Sequence, residues 1–276
     1  MKIIWALCLR NLKDFVRNKT RLVFSIIFPF FFIWIFSSIF QSEALEDPIS
    51  YMLAGIAIAT VFDVTLRISS STITDMASGF MKEVLVSPIR RIYVAIGQFL
   101  SGAIIGTLHG VIILIGGFLL GYRITQAITV LYILLAMVFI GLVFAGFGLF
   151  LATKAKNAQT FQVISMAITM PMTFISGAYI NLGSLPDTLQ VVGRFNPLSY
   201  AVALFRTISL ELLDAPAETL LAMELTIDVF GVYVTPFMSI LVLLGFGVLF
   251  LLLATLSFSR TDFSKMSRNA GDYVDW

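Results

Sequence analysis

The sequence predicts an all-α membrane protein, and three observations predict it. Of the 276 residues, 59% are hydrophobic and 12% are charged, whereas soluble domains carry about 25% charged residues. The mean hydropathy is +0.97. The hydrophobic residues form long continuous runs, which excludes a membrane barrel of short alternating strands.

Six runs reach or approach the about 20 residues that a helix needs to cross a bilayer. The first follows 21 residues rich in charge and exceeds the about 7–15-residue core of a signal peptide, so we expect it to stay in the mature protein. The predicted spans are 22–40, 49–66, 94–120, 127–151, 161–180 and 236–258. Together they make one membrane domain, residues 22–258.

Charge sets the predicted orientation, because lysine and arginine are retained on the cytoplasmic side of short loops. With the N-terminus inside, 15 of the 18 basic residues fall in inner segments and only Arg123, Arg194 and Arg206 fall outside. Both termini are therefore predicted to be cytoplasmic, including the tail 259–276.

The connectors are unequal in length and character. Residues 1–21 alternate apolar and basic side chains, as expected of an amphipathic helix lying in the inner interface. The stretch 69–91 is a cytoplasmic connector, and 181–235 is a long outer one. We expect function to concentrate in these two connectors, because loops held by a rigid scaffold usually carry it.

A polar stripe runs along the second span. Thr60, Asp63 and Arg67 are spaced to share one helical face. A carboxylate inside the bilayer is costly, but Arg67 lies one turn closer to the cytoplasm and can pair with it. A structural ion pair is favoured over a proton relay, and both interpretations stay open.

The fifth span carries a second stripe of polar side chains at helical spacing, interrupted by Pro171. Such a stripe either lines a polar path or bonds to an adjacent helix, and the sequence favours neither. The stripe consists of Gln162, Ser165, Thr169, Thr173 and Ser176.

The third span combines close-packing glycines with a histidine. Gly102, Gly106 and Gly110 recur every four residues, a pattern that favours helix packing over a gating hinge. His109 is a functional candidate as a lone intramembrane histidine, although a hydrogen bond to a neighbouring helix is the favoured interpretation.

Several classes of function are excluded or disfavoured. The sequence has no phosphate-binding loop and none of the common hydrolase or zinc motifs, so we expect no catalytic residue, no metal site and no nucleotide site in this chain. Cys8 has no companion ligand, and a net charge of +2 suggests no nucleic-acid role.

The cytoplasmic connector contains a predicted short amphipathic helix at about 78–91. Phe80, Val84 and Leu85 can share one face, Lys82 and Glu83 another, and Pro88 ends the helix. The alternative is an interfacial helix that only floats on lipid.

Two motifs resemble the marker regions of the type-2 ATP-binding-cassette permease family, which includes daunorubicin-resistance and nodulation-polysaccharide exporters. The first is the run GFMKEVLVSPIRR at 79–91, with Gly97 soon after. The second is RFNPLSY at 194–200, followed by Arg206. The similarity covers nearly the whole chain, and the two motifs fall in the expected connectors.

The resemblance assigns roles to residues. It implies that the first motif is a coupling helix docking into a separate cytoplasmic ATPase, through Gly79, Phe80, Met81, Lys82, Glu83, Val84, Leu85, Ser87 and Pro88. It implies that 1–21 is an elbow helix and that about 181–210 forms a re-entrant outer hairpin, with Asn196, Pro197 and Tyr200 at an outer gate. The translocation path would be lined by Thr60, Asp63, Ser165, Thr169, Thr173 and Ser176.

The implied function is that of a transmembrane permease subunit in the plasma (inner) membrane, moving an amphipathic drug, lipid or glycan outward. It would work in membrane lipid as a homodimer or with a similar partner chain, with ATP and Mg bound by the partner ATPase and no cofactor in this chain. The alternative is a proton-coupled secondary transporter that uses Asp63 and His109. The acidic outer segment 211–235 matches no motif of the family.

Overall fold

The computed structural model describes residues 2–40, 48–77, 91–155, 157–223, 225–229 and 231–260. They form eleven α-helices, one short 3-10 helix at Leu182–Ser184 and one β-hairpin. The first six helices are α1 (Lys2–Arg17), α2 (Lys19–Phe40), α3 (Pro48–Ile68), α4 (Ser70–Ala77), α5 (Arg91–Leu119) and α6 (Ala127–Lys154). The others are α7 (Ala158–Ile175), α8 (Asp187–Phe195), α9 (Pro197–Ser209), α10 (Ala217–Ala222) and α11 (Pro236–Arg260).

Helix α3 is the centre of the bundle. It packs against α2, α5, α6, α7 and α9. In the helical stretch Pro48–Asp75, 89% of the residues in the most apolar part are buried. Phe62 of α3 meets Phe144 of α6 edge to face, with ring centroids 4.6 Å apart. By contrast, only 22% of the residues in the most apolar stretch of α11 are buried. This helix presents its apolar side chains outward, as a lipid-facing helix does.

Four helical stretches in the described residues are long and apolar enough to cross a membrane: Pro48–Asp75, Tyr93–Leu119, Ala127–Lys154 and Pro236–Ser257. The pair α1 and α2, bent by 71° between them, raises the count to five if it is taken as one span. Helix α7, which corresponds to the predicted span 161–180, has 18 residues with Pro171 inside it. The count of six spans and the orientation of the termini stay predictions.

The glycine stripe of α5 packs directly against α3, as predicted. A Cβ atom on Gly106 would lie 2.1 Å from Thr65 Oγ1 and 3.0 Å from the carbonyl oxygen of Val61. A Cβ atom on Gly110 would lie 2.6 Å from Val61 Cγ2. The Thr65 hydroxyl donates a hydrogen bond to the carbonyl of Gly102 at 3.2 Å. The absence of side chains therefore lets these two backbones come together.

Two expectations about the outer connectors need correction. Helix α7 ends at Ile175, not at residue 180, because Ser176 caps it and Gly177 turns the chain with φ of +86°. The predicted outer segment also contains an antiparallel hairpin, so the fold is not purely helical. Its strands are β1 (Ile227–Val229) and β2 (Val232–Val234), and the turn is fixed by Gly231, whose N–H donates to Asp228 Oδ1 at 2.8 Å.

Candidate functional site

A cleft of about 530 Å³ opens between α2, α3 and α7. Phe15 of α1 and Tyr179, just after α7, complete its lining. Its α2 wall includes Phe24 and Phe28, and its α7 wall includes Met166 and Met170. All four side chains are more than half exposed, so the mouth of the cleft lies at the surface of the described chain.

The cleft brings together polar residues from both predicted stripes. Thr60 and Asp63 of α3 face Thr169 and Thr173 of α7 across it, and Arg67 lies at its edge. The hydroxyl of Thr60 donates to the carbonyl of Ile56 at 2.7 Å. Four of the six predicted path residues therefore line one cavity, although they belong to helices about a hundred residues apart in the chain.

The remaining two path residues, Ser165 and Ser176, are buried but are not among the described residues that line the cleft. Ser176 donates to the carbonyl of Thr173 at 2.7 Å and accepts the N–H of Ala178 at 3.2 Å. Its contacts therefore end α7. In the fifth-span stripe, Thr169 and Thr173 therefore line the cavity, whereas Ser176 holds the end of the helix.

The predicted ion pair of the second stripe is present. Arg67 Nε lies 2.8 Å from Asp63 Oδ2, one helical turn away. The Arg67 side chain is 54% exposed and that of Asp63 is 36% exposed. The pair lies on the wall of the cleft, where water or a ligand can reach it.

His109 is completely buried on α5. Its Nε2 lies 3.1 Å from the carbonyl oxygen of Ser25 on α2, and its ring meets Phe15 edge to face at 5.4 Å. The predicted bond to a neighbouring helix is confirmed.

Arg206 makes a network of buried polar contacts at the other end of α3. Its side chain is only 2% exposed. The Nε atom donates to the carbonyl of Tyr51 at 3.2 Å, and Nη2 donates to the carbonyl of Gly177 at 3.1 Å. The guanidinium therefore joins α9 to the start of α3 and to the loop after α7.

Close packing around Arg206 explains a glycine of α3. A Cβ atom on Gly55 would lie 2.4 Å from the carbonyl oxygen of Ala178 and 2.6 Å from Arg206 Nη2. Arg206 follows the second marker in the sequence, but the motif itself assigns it no role. The signal for such a role is an arginine within the apolar run 201–208.

The predicted outer-gate residues make the junction between α8 and α9. Asn196 accepts the N–H of Leu198 at 3.0 Å as the helix cap, and its Nδ2 donates to the carbonyl of Met172 on α7 at 2.7 Å. Pro197 occupies the first turn of α9, and Tyr200 donates to the carbonyl of Arg194 at 2.6 Å. The second motif thus fixes the corner between two helices.

Glu211, two residues after the end of α9, caps the N-terminus of α6. Its carboxylate accepts the N–H groups of Thr125 at 3.1 Å and Gln126 at 2.8 Å, and the hydroxyls of Thr125 and Thr129. These hydrogen bonds, the one from the Thr125 side chain foremost, hold the pKa of the Glu211 carboxyl below its ordinary value. A carboxylate also suits the positive end of a helix dipole.

A second polar group, which we name the elbow cluster, joins α1 to α4 and α5. Arg10 contacts Asp75 Oδ2 at 2.5 Å, and Gln98 donates to the same oxygen at 3.0 Å. Asn11 donates to Gln98 Oε1 at 2.7 Å, as does Ser71 at 3.2 Å. The cluster consists of Arg10, Asn11, Ser71, Asp75 and Gln98, and local sequence patterns did not predict it.

The predicted ATPase-docking residues, 79–85 with Ser87 and Pro88, lie outside the described residues. Helix α4, which carries Asp75, ends just before them at Ala77. In the part of the chain that the structure describes, no group of three or more His, Cys, Asp and Glu side chains lies together as a metal site.

The comparison with known families decides the identity. The model of the family described as "ABC-2 type transporter" matches residues 2–210. The chain belongs to the ABC-2 type transporter family. It is a multi-pass membrane transport permease, in agreement with the resemblance carried by the two motifs.

Individual relatives are distant. A putative transport permease, ycf38, of Cyanophora paradoxa is 23% identical over 195 residues, 67% of each chain. Nodulation protein J of Rhizobium leguminosarum bv. trifolii is 35% identical over 91 residues, 33% of this chain and 34% of that protein. The daunorubicin resistance ABC transporter permease protein DrrB1 of Streptomyces coeruleorubidus is 21% identical over 206 residues, 71% of each chain.

Proposed function

We propose that this permease is the transmembrane subunit of an ABC exporter in the plasma (inner) membrane, moving an amphipathic drug, lipid or glycan outward. The chain works as a homodimer and is driven by a separate cytoplasmic ATPase that binds ATP and Mg. The observation that carries the proposal is the family match over residues 2–210, joined to a cleft in which both polar stripes meet.

The translocation path in this proposal follows the cleft between α3 and α7. Thr60, Asp63, Thr169 and Thr173 supply its polar wall, and Ser165 and Ser176 continue the α7 stripe beyond the cavity. Near the C-terminal end of α7, the bond from Asn196 to Met172 ties the path to the corner of α8 and α9. Movement of that corner would open or close the outer gate.

Coupling to the ATPase takes place through the connector 79–88 and the elbow helix α1. The elbow cluster supports this assignment, because Asp75 lies on the helix leading into the connector while Arg10 lies on α1. A force applied to the connector therefore reaches α1 and α5 through side-chain contacts. Coupling has to be mechanical, since no nucleotide-binding motif occurs in the sequence.

Affinity purification in mild detergent tests the docking surface. The chain is expected to bring down a protein with a phosphate-binding loop in equal stoichiometry, and Phe80→Ala with Leu85→Ala is expected to lose it. The matched control is Phe237→Ala with Leu241→Ala, which removes the same atoms from exposed positions on α11. Retention of the ATPase by the docking variant would contradict the assignment.

A proton-coupled transporter is the second candidate, and the exposure of Asp63 to the cleft favours it. It predicts transport that stops when an ionophore collapses the proton gradient, and that is lost in Asp63→Asn. The exporter predicts transport that persists with the ionophore present and requires ATP. His109 adds little to the proton-coupled candidate, because it is buried against α2 and α1.

A further inference from the structure

The cleft between α2, α3 and α7 combines aromatic walls with one ion pair. Its aromatic lining consists of Phe15, Phe24, Phe28, Phe32, Phe174 and Tyr179. Met166 and Met170 add flexible apolar surface that adapts to irregular shapes. Such a lining can accommodate a bulky apolar ligand. The faces of its aromatic rings can also interact with a cation.

The two side chains of the ion pair on the cleft wall differ in length and in freedom of movement. Arg67 follows Asp63 by one turn and lies at the last residues of α3. Its long side chain, already more than half exposed, can withdraw toward the headgroups and keep its charge in water. Asp63 has a short side chain on the cleft-lining face of α3, so its carboxylate stays at the cleft wall whichever way Arg67 moves.

This difference between the Asp63 and Arg67 side chains determines which ligand charge the cleft favours. A cation in the cleft can replace Arg67 beside Asp63, and the displaced guanidinium still reaches water. An anion would have to bind Arg67 and leave the Asp63 carboxylate unpaired beside it on the cleft wall, where like charges repel. The cleft therefore selects against anions as well as for cations.

We propose that the cleft binds amphipathic cations with a bulky aromatic or apolar body, and that Asp63 is their counter-ion. The inference rests on the proposed function in taking the cleft as part of the transport path, and it narrows the substrate class of that path. A neutral glycan is disfavoured, because most of the lining is aromatic or aliphatic.

Two probes of nearly equal size and opposite charge test the proposal: tetraphenylphosphonium, a cation, and tetraphenylborate, an anion. Binding is measured by equilibrium dialysis against the full chain in phosphatidylcholine nanodiscs, with empty nanodiscs subtracted. We expect saturable binding of the cation, weakened about tenfold or more in Asp63→Asn, a change that corresponds to about 1.4 kcal/mol. The matched control is Asp214→Asn, an exposed acid in the loop after α9, which should bind as the unmodified chain does.

Arg67→Gln provides a second variant if Asp63→Asn fails to fold. Because it removes the competing guanidinium, it should bind the cation as tightly as the unmodified chain or more tightly. Saturable binding of tetraphenylborate that is lost in Arg67→Gln would overturn the proposal. Equal binding of the cation by the unmodified chain and Asp63→Asn would also overturn it, since this is what lipid-like partitioning gives.

The failure of this inference can be told apart from failure of the proposed function. A chain that brings down its ATPase but binds no cation overturns the substrate class alone. A chain that binds the cation through Asp63 but brings down no ATPase overturns the exporter and keeps the binding site.

Discussion

The guanidinium carbon of Arg206 lies 3.6 Å from the centroid of the Tyr51 ring. The same side chain donates hydrogen bonds to backbone carbonyls of Tyr51 and Gly177. Tyr51 in turn donates from its hydroxyl to Asn181. These two residues, 155 positions apart, thus hold α3, α9 and the loop after α7 together as one unit.

Arg206→Gln should destabilise the permease strongly. The shorter amide cannot reach both carbonyls or stack on Tyr51, and an unsatisfied buried polar group costs about 1–3 kcal/mol. We expect a loss of about 3 kcal/mol in the free energy of unfolding, measured by denaturant titration in detergent. Arg123→Gln, at an exposed arginine of the loop after α5, is the control and should change the midpoint little; equal midpoints for both variants would contradict the role of Arg206.

Gly106→Ala should separate α5 from α3. The added methyl would meet Thr65 Oγ1 at 2.1 Å and backbone at 3.0 Å, and overpacking of this kind costs about 1–3 kcal/mol. The measurement is the thermal unfolding midpoint of the purified chain. Gly245→Ala is matched to it, because nothing lies within 4 Å of that position; it should be neutral or slightly stabilising, as alanine favours helix over glycine.

Glu211→Gln should reveal a pH-dependent contribution to stability. The pKa of Glu211 in the folded chain lies below its ordinary value of 4.5, so the folded state binds the proton less tightly than the unfolded state does. The stabilisation is therefore complete above about pH 4.5 and is lost as the pH falls through the folded pKa.

Unfolding midpoints at several pH values check this prediction. At neutral pH, the free energy of unfolding of the unmodified chain should exceed that of Glu211→Gln by about 1 kcal/mol or less, the range of a helix cap near the surface. This difference should vanish in acid. Glu218→Gln, at an exposed glutamate of α10, should show a smaller difference. A difference for Glu211 that grows in acid would contradict the cause given for its pKa.

The ion pair of the elbow cluster should couple more strongly than a surface pair. Double-mutant cycles with Arg10→Gln and Asp75→Asn should give a coupling energy of about 1–3 kcal/mol, as for contacting residues in one network. The comparison pair is Arg194 and Asp228, which lie 3.6 Å apart and whose aspartate is 41% exposed, against 13% for Asp75. For this pair about 0–1 kcal/mol is expected. Equal coupling energies would show that the elbow cluster does not lock α1 to α4.

Local patterns predicted most of the helices. The predicted spans 127–151 and 236–258 match Ala127–Lys154 and Pro236–Arg260, because an apolar run bounded by polar residues or proline is a local signal. The stripe 60–67 predicted its ion pair for the same reason, since both partners lie one turn apart on one helix.

Long-range contacts could not be predicted in this way. Glu211 bonds residues 82–86 positions away, and Arg10 bonds Asp75 across 65 positions. A single sequence gives the polarity of each partner but not the pairing, which depends on how the helices pack. The hairpin at Ile227–Val234 was missed because strands of three residues are too short to show a period.

Whether this permease is coupled to a separate ATPase can be measured as ATP hydrolysis by the affinity-purified complex. We expect the ATPase to co-purify with the chain in equal stoichiometry. Hydrolysis should fall to background in Phe80→Ala with Leu85→Ala and be retained in Phe237→Ala with Leu241→Ala. A chain that purifies alone, without hydrolysis, and still transports would contradict the claim.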